Sequence, residues 1–271
     1  MNGHDIHADY WHQQLADKPL FPDALWSRPE RRNTAGKLLI IGGNGYGFAA
    51  PAEAFSVAQK AGIGEARVVL PDVLRKTIGK TFVAGQFVPS TPSGSFSHKA
   101  LADIIDMSNW AEGILLAGDL GRNSETAMLI EKFIANYHSQ LVITKDSADY
   151  VINTPAIILD RRDTTLVISL GQLQKLAMSL SFAKPFTFKM DLLQMVEVLH
   201  EFTIAYPINI VVKHLGYIFV AIKGEISNTK STEDQDNWQV QVATYAVVWW
   251  LQNKVAPFEA LSSAVYSMER A

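Results

Sequence analysis

The sequence predicts an α/β fold, a mainly parallel central sheet with helices on both faces in an α/β/α sandwich. Three observations carry this. Short continuous apolar runs recur along the chain, as strands buried on both faces require. Segments of helical periodicity separate them, the pattern of strands joined by crossover helices. Glycine-containing loops follow several of the runs, and right-handed crossovers gather such loops on one rim of the sheet, where ligands bind in open α/β folds.

Residues 1–35 are polar and irregular, with His4, His7 and His12, and are expected to be a lead-in to one domain spanning 36–271. The three histidines suit either a metal site or a plain polar tail. The run Lys37–Ile41 predicts the first strand, and the loop Gly42-Gly-Asn-Gly-Tyr-Gly47 follows it. An Ala-rich helix is expected from Pro51 to Gly62, with the proline in its first turn. Ala66–Leu70 reads as a strand ended by Pro71, and Asp72–Gly79 as a short helix. Thr81–Ser97, rich in Ser, Pro and Gly, reads as a loop or edge strand.

Gly113–Ala117 predicts another strand. Ser124–Tyr137 has helical spacing, with Met128, Ile130, Phe133 and Ile134 on one face and Ser124 as N-cap. Gln140–Thr144, Ala156–Leu159 and Thr165–Ser169 read as strands. A helix is expected over Leu192–Tyr206, stopped before Pro207. Asn209–Lys213 and Tyr217–Ile222 read as strands around a His214-Leu-Gly216 turn. Residues 227–237 read as a polar, acidic loop, Trp238–Asn253 and Pro257–Met268 as helices. His138 and His200 fall on expected helices and are read as structural. Tyr245, Trp249, Trp250 and Phe258 suit either the core or a contact between subunits.

Composition narrows the function. The 271 residues carry a net charge of −3 with a pI near 6.2, which gives no general pull toward nucleic acid or an anionic membrane. Cysteine is absent, which excludes disulfides, thiolate metal sites and a cysteine nucleophile. No apolar run approaches the ~18 residues of a membrane-spanning helix, and the N-terminal stretch lacks the apolar core of a signal peptide. A soluble, cytoplasmic protein is expected.

The glycine-rich loop before an Ala-rich helix suits either an anion held on backbone N–H groups or a tight turn needing positive φ. It matches neither the Rossmann nor the Walker spacing. The segment holds Gly42-Gly43, Tyr46 and Ala49-Ala50-Pro51, then Gly62-Ile-Gly64 and Val68-Val-Leu-Pro71. With these residues it resembles the opening of the ADP/ATP-dependent NAD(P)H-hydrate dehydratase family, of the ribokinase-like superfamily. Further blocks continue the likeness as far as about Ala264. Gly118-Asp-Leu-Gly121 is similar to the family's Pro-Gly-Leu-Gly. Asp146 matches the second acid of an Asp-Ala-Asp motif, and is also read as a helix N-cap. Ile210-Val-Val-Lys213 is similar to a strand ending in a nucleotide-contacting Lys-Gly, although Lys213 also reads as a solvated surface lysine.

The resemblance implies a ribokinase-like fold that binds ATP or ADP with Mg2+, takes hydrated NAD(P)H as substrate and assembles as a homo-oligomer. It implies Gly43, Asn44, Ala50, Gly121, Asp146, Lys213 and Gly216 as nucleotide- or substrate-binding residues. The chain departs from the family where its chemistry sits. Ser169 and Gln172 replace an expected His and Glu. Trp238-Gln-Val-Gln241 stands over Gly-Thr-Gly-Asp, so that Gln241 replaces the proton-shuttling acid. Asp234 and Asp236 remain as candidates for that acid. Three functions therefore stand: a metabolite-repair dehydratase, an inactive relative that binds a nucleotide or acts as a structural or regulatory protein, and a small-molecule (carbohydrate) kinase.

Overall fold

The computed structural model describes residues 9–231 and 237–271. Ten strands form one sheet among them. They are β1 (Trp11–Gln13), β2 (Lys37–Gly42), β3 (Glu65–Pro71), β4 (Gly85–Val88) and β5 (Gly113–Gly118), followed by β6 (Gln140–Thr144), β7 (Thr164–Ile168), β8 (Asn209–His214), β9 (Tyr217–Ile222) and β10 (Glu225–Lys230). Their order across the sheet is β1-β10-β9-β8-β7-β6-β5-β2-β3-β4. Pairing is parallel except at β8–β9 and β9–β10, so β9 alone runs against the rest.

The helices are α1 (Pro22–Trp26), α2 (Ala49–Lys60), α3 (Arg75–Ile78), α4 (Leu101–Ser108), α5 (Ser124–Asn136) and α6 (Asp146–Asn153), then α7 (Ala156–Leu159), α8 (Leu170–Ser179), α9 (Leu192–Ala205), α10 (Trp238–Gln252) and α11 (Pro257–Met268). Strand alternation divides the core. Leu39 and Ile41 of β2 join the cluster under α4, α5, α6, α8 and α9, while Leu38 and Ile40 join the one under α2, α10 and α11. Both sets are fully buried, which is why β2 reads as an unbroken apolar run.

Several elements differ from the sequence reading. The stretch expected as an irregular lead-in supplies edge strand β1, which pairs parallel to β10 over Trp11↔Ile226, His12↔Ser227 and Gln13↔Asn228. The run Ala156–Leu159 forms helix α7 rather than a strand. Four apolar residues do not distinguish the two periods, and Pro155 before them adopts helical angles (φ −64°, ψ −20°). Residues 227–230, expected in a loop, complete β10. Ser227, Asn228 and Thr229 are buried, and Ser227 shares a hydrogen bond with Ser262 at 2.7 Å.

Asn123, not Ser124, caps α5, accepting from the N–H groups of Glu125 and Thr126. Met128 lies outside its buried face, about half exposed. Tyr245, Trp249 and Trp250 are buried within the single chain, under 10% exposed, and so belong to the core rather than to a subunit contact. Phe258 is covered by the chain's own N-terminal segment, with ring centroids 5.7 Å from Phe21 and 5.4 Å from His12. His138 follows α5 on the surface. His200 is on α9, where its Nδ1 meets Gly224 O at 2.6 Å and its ring stacks on Tyr10.

Candidate functional site

The carboxyl ends of β2, β5, β6, β7 and β8 share one rim, and the residues singled out in the sequence fall there in two groups. The first joins the loops after β2, β5 and β6. The ends of β2 and β5 pass so close that a Cβ on Gly42 would lie 2.5 Å from Gly118 O, which only glycine permits. The Gly43 N–H donates to that same carbonyl at 3.0 Å. Asn44 holds its loop from both ends of its amide: Nδ2 donates to Asp119 O at 2.6 Å, and Oδ1 accepts from Tyr46 N at 2.7 Å in an Asx turn.

Asp119 stands where the resemblance expects glycine, and its backbone takes the left-handed conformation (φ 58°) all the same. Its Oδ2 accepts the Ala50 N–H at 2.7 Å, in the first turn of α2. A helix N-terminus attracts negative charge, and here the protein's own carboxylate takes the place of an external anion. Lys145, also left-handed (φ 52°), brings Nζ to 3.5 Å from Asp119 Oδ1. Asp146 opens α6 as its first residue rather than capping it. Its Oδ2 accepts from Gly121 N at 3.0 Å, while Oδ1 is buried with no hydrogen-bond partner among the described residues. Burial pushes this carboxyl above its ordinary pKa; the Gly121 N–H opposes the shift and the charge of Asp119 adds to it. The expected donors at Gly43, Ala50 and Gly121 thus each meet an acceptor of the chain itself.

The second group lines an open groove of about 520 Å³ beside the ends of β7 and β8, containing Lys213, Gly216, Ser169, Phe188 and Trp238. Leu215 (φ 49°) and Gly216 (φ 73°) form the two-residue turn of the β8–β9 hairpin, whose twist needs two positive φ angles. Ser169 and Gln172 form a reciprocal capping box at the start of α8. Gln172 reaches onward, donating to Lys145 O at 2.8 Å and so tying the two groups together. Gln239, in the first turn of α10, donates to Gln172 Oε1 at 3.2 Å. Gln241 donates to Glu53 Oε1 on α2 at 3.2 Å.

Asp234 and Asp236 lie outside the described residues. So do His4 and His7; His12 pairs with Glu225 at 2.7 Å. Among the described residues no group of three or more acidic or histidine side chains gathers as a metal site. Sequence reasoning passed over Asp119, Lys145 and Glu53 as site residues. For Asp119 the signal was present, since an acid in a glycine position after a strand needs a structural reason.

No protein-family model matches the chain, and no curated protein matches it in sequence. Solved structures do. A ribokinase-like superfamily protein from Enterococcus faecalis V583 superposes with a TM-score of 0.75 at 13% identity, covering 98% of this chain and 88% of that one. The fold is ribokinase-like. An ADP/ATP-dependent NAD(P)H-hydrate dehydratase from Bacillus subtilis, co-crystallised with ATP/Mg2+, superposes with a TM-score of 0.60 at 12% identity, over 89% of this chain and 81% of that one. A phosphomethylpyrimidine kinase from Clostridium difficile 630 gives 0.57 at 11%, over 87% and 100%. The ribokinase-like sheet therefore places both residue groups on the edge where ligands bind in open α/β folds, while identities this low leave activity to the chemistry of the residues. No described helix is long and apolar enough to cross a membrane.

Proposed function

We propose that this ribokinase-like chain binds an adenine nucleotide in the groove beside β7 and β8 and does not transfer its phosphoryl group. The observation that carries the reading is the Gln241–Glu53 hydrogen bond of 3.2 Å. At the position the resemblance gives to the catalytic acid stands an amide, which neither accepts nor releases a proton at working pH. Trp238 and Gln239 in the same turn carry side chains where close approach of backbone to phosphate calls for glycine.

The groove suits a nucleotide. Phe188 and Trp238 offer aromatic faces to a purine, and Lys213 brings a cation to the same space. Magnesium takes carboxylate oxygens together with phosphate oxygens. Asp119 is engaged by Ala50 and Lys145, while Asp146 accepts from Gly121 through Oδ2 alone, so Asp146 Oδ1 and the nucleotide's own phosphates would hold the ion. A second reading, ATP- or ADP-driven dehydration of hydrated NAD(P)H, is supported by the dehydratase among the similar structures and needs an acid from the segment holding Asp234 and Asp236. A small-molecule kinase needs the same acid and anion turn.

The test is thermal unfolding with ATP, ADP and AMP, each with and without Mg2+, followed by assays for phosphate release and for loss of hydrated NADH. The expected result is a rise in Tm with all three nucleotides, reflecting a stabilisation of about 2.7 kcal/mol at a hundredfold excess over Kd, with no phosphate released. No rise at millimolar nucleotide refutes the binding reading. Phosphate release coupled to consumption of hydrated NADH establishes the dehydratase instead.

A further inference from the structure

The chain between α8 and α9 contributes one wall of the groove beside β7 and β8. It turns at residues 187–190, where the Met190 N–H donates to Thr187 O at 3.3 Å. Phe188 lines that groove, while Thr187 and Met190 line a separate depression of about 310 Å³. The turn is the ridge between the two. Phe188 is 68% exposed. A side chain with so little packing of its own takes its position from the backbone that carries it.

That backbone is held on both sides of the ring. Before it, Phe186 is buried, with ring centroids 5.6 Å from Phe202 and 6.2 Å from Phe182, and its carbonyl accepts from Gln174 Nε2 of α8 at 2.8 Å. After it, the Met190 carbonyl accepts from His214 Nε2 at 2.9 Å. Asp191 follows at once and caps α9 in a reciprocal box with Gln194. His214 ends β8, is 7% exposed, and lines the groove together with Lys213, Leu215 and Gly216. Its imidazole therefore joins the strand end that lines the groove to the turn that carries the groove's exposed ring. Removing this one bond leaves Phe186 and the α9 cap in place, so it frees the turn without unfolding the chain.

We propose that His214 is a positioning residue of the groove: by holding the Met190 carbonyl it sets Phe188 where a bound base meets its ring. The role rests on the nucleotide reading above.

Two variants separate the donor from the bulk of the side chain. His214→Leu removes the N–H, and His214→Gln keeps one at similar reach. The first readout needs no nucleotide. Lys189–Met190 is the one bond within 181–191 open to trypsin, because Lys184 precedes Pro185. His214→Leu is expected to speed cleavage there and leave cleavage after Lys254, in the α10–α11 turn, at its wild-type rate; His214→Gln behaves as wild type at both. The second readout is the Kd of AMP by calorimetry on the full chain. His214→Leu is expected to weaken AMP about fivefold, His214→Gln to restore it, and His214→Leu added to Phe188→Ala to weaken it no further. No AMP binding to the wild-type chain overturns the nucleotide reading and with it the role of His214. With AMP bound, three results overturn the positioning role alone: an unchanged cleavage rate after Lys189 in His214→Leu, wild-type AMP affinity in that variant, or the same weakening when Phe188 is already alanine.

Discussion

The Asp119 carboxylate accepts the backbone N–H of Ala50 at 2.7 Å, across 69 positions of sequence. A loop after β5 thereby caps the helix that follows β2, and an acid in a left-handed backbone supplies the negative charge the α2 terminus attracts.

Its energetics separate two substitutions. Asp119→Ala removes the cap, worth about 1–2 kcal/mol, and keeps a side chain at φ 58°. Asp119→Gly removes the same cap but relieves the left-handed strain of about 1–2 kcal/mol, part of which returns as unfolded-chain entropy. The alanine variant is therefore expected to unfold at lower urea than the glycine variant. Equal midpoints would show that the backbone at Asp119 is unstrained.

Asp146 predicts a pH dependence. Its folded pKa lies above the unfolded value near 3.8 because burial disfavours the charge. The folded chain binds that proton more tightly, so the group's contribution is most favourable below pH 3.8 and declines as pH rises through the folded pKa. Asp146→Asn removes this decline. Relative to wild type, the variant is expected to gain stability as pH rises from below 3.8 toward neutrality, measured by urea unfolding at several pH values.

Glu125 gives the opposite sign. Its carboxylate accepts from Ser97 Oγ at 2.6 Å, from His98 N at 2.8 Å and from His98 Nδ1, which holds its pKa at about 2 against an ordinary 4.5. Its contribution is present above pH 4.5 and is lost as pH falls toward 2. Glu125→Gln should therefore flatten the acid limb of the stability curve in that window, measured by urea unfolding at several pH values.

Trp250 is 1% exposed and packs in the α2–α10–α11 side of the core. Trp250→Ala is expected to cost about 3–5 kcal/mol by transfer and cavity terms. A loss under about 1 kcal/mol in chemical unfolding would place this side chain outside the packed core.

Phe188 is 68% exposed and lines the groove beside β7 and β8. Phe188→Ala should change unfolding stability by no more than about 0.5 kcal/mol. The same variant should shrink the Tm rise produced by AMP, since a stacking face is removed. An undiminished AMP shift would exclude Phe188 from the base-binding surface.

The parallel strands were legible because burial on both faces writes a continuous apolar run, as in Leu38–Ile41 and Gly113–Ala117. β1 and the end of β10 were not, because Trp11-His-Gln13 and Ser227-Asn-Thr229 are mostly polar and leave no apolar alternation. Helices α4 and α8 went unread between the strands they connect, and α6 was marked only by Asp146 as a possible cap. α8 starts at a capping box whose Ser169 and Gln172 had been weighed only as substitutes for missing site residues. Among site residues, Lys213 and Gly216 do share one groove with Trp238. Gly43, Asn44, Ala50, Gly121 and Asp146 do share one rim, as their positions after strands require.

The sequence by itself determined the α/β class, the glycine loops after strands and the absence of thiol chemistry, because these follow from local periodicity, backbone freedom and composition. Only the tertiary structure decided what the rim residues face. Asp119 reaches Ala50 and Gln241 reaches Glu53, through contacts across at least 69 positions of sequence. Such contacts are set by sheet order and register, which no local pattern encodes.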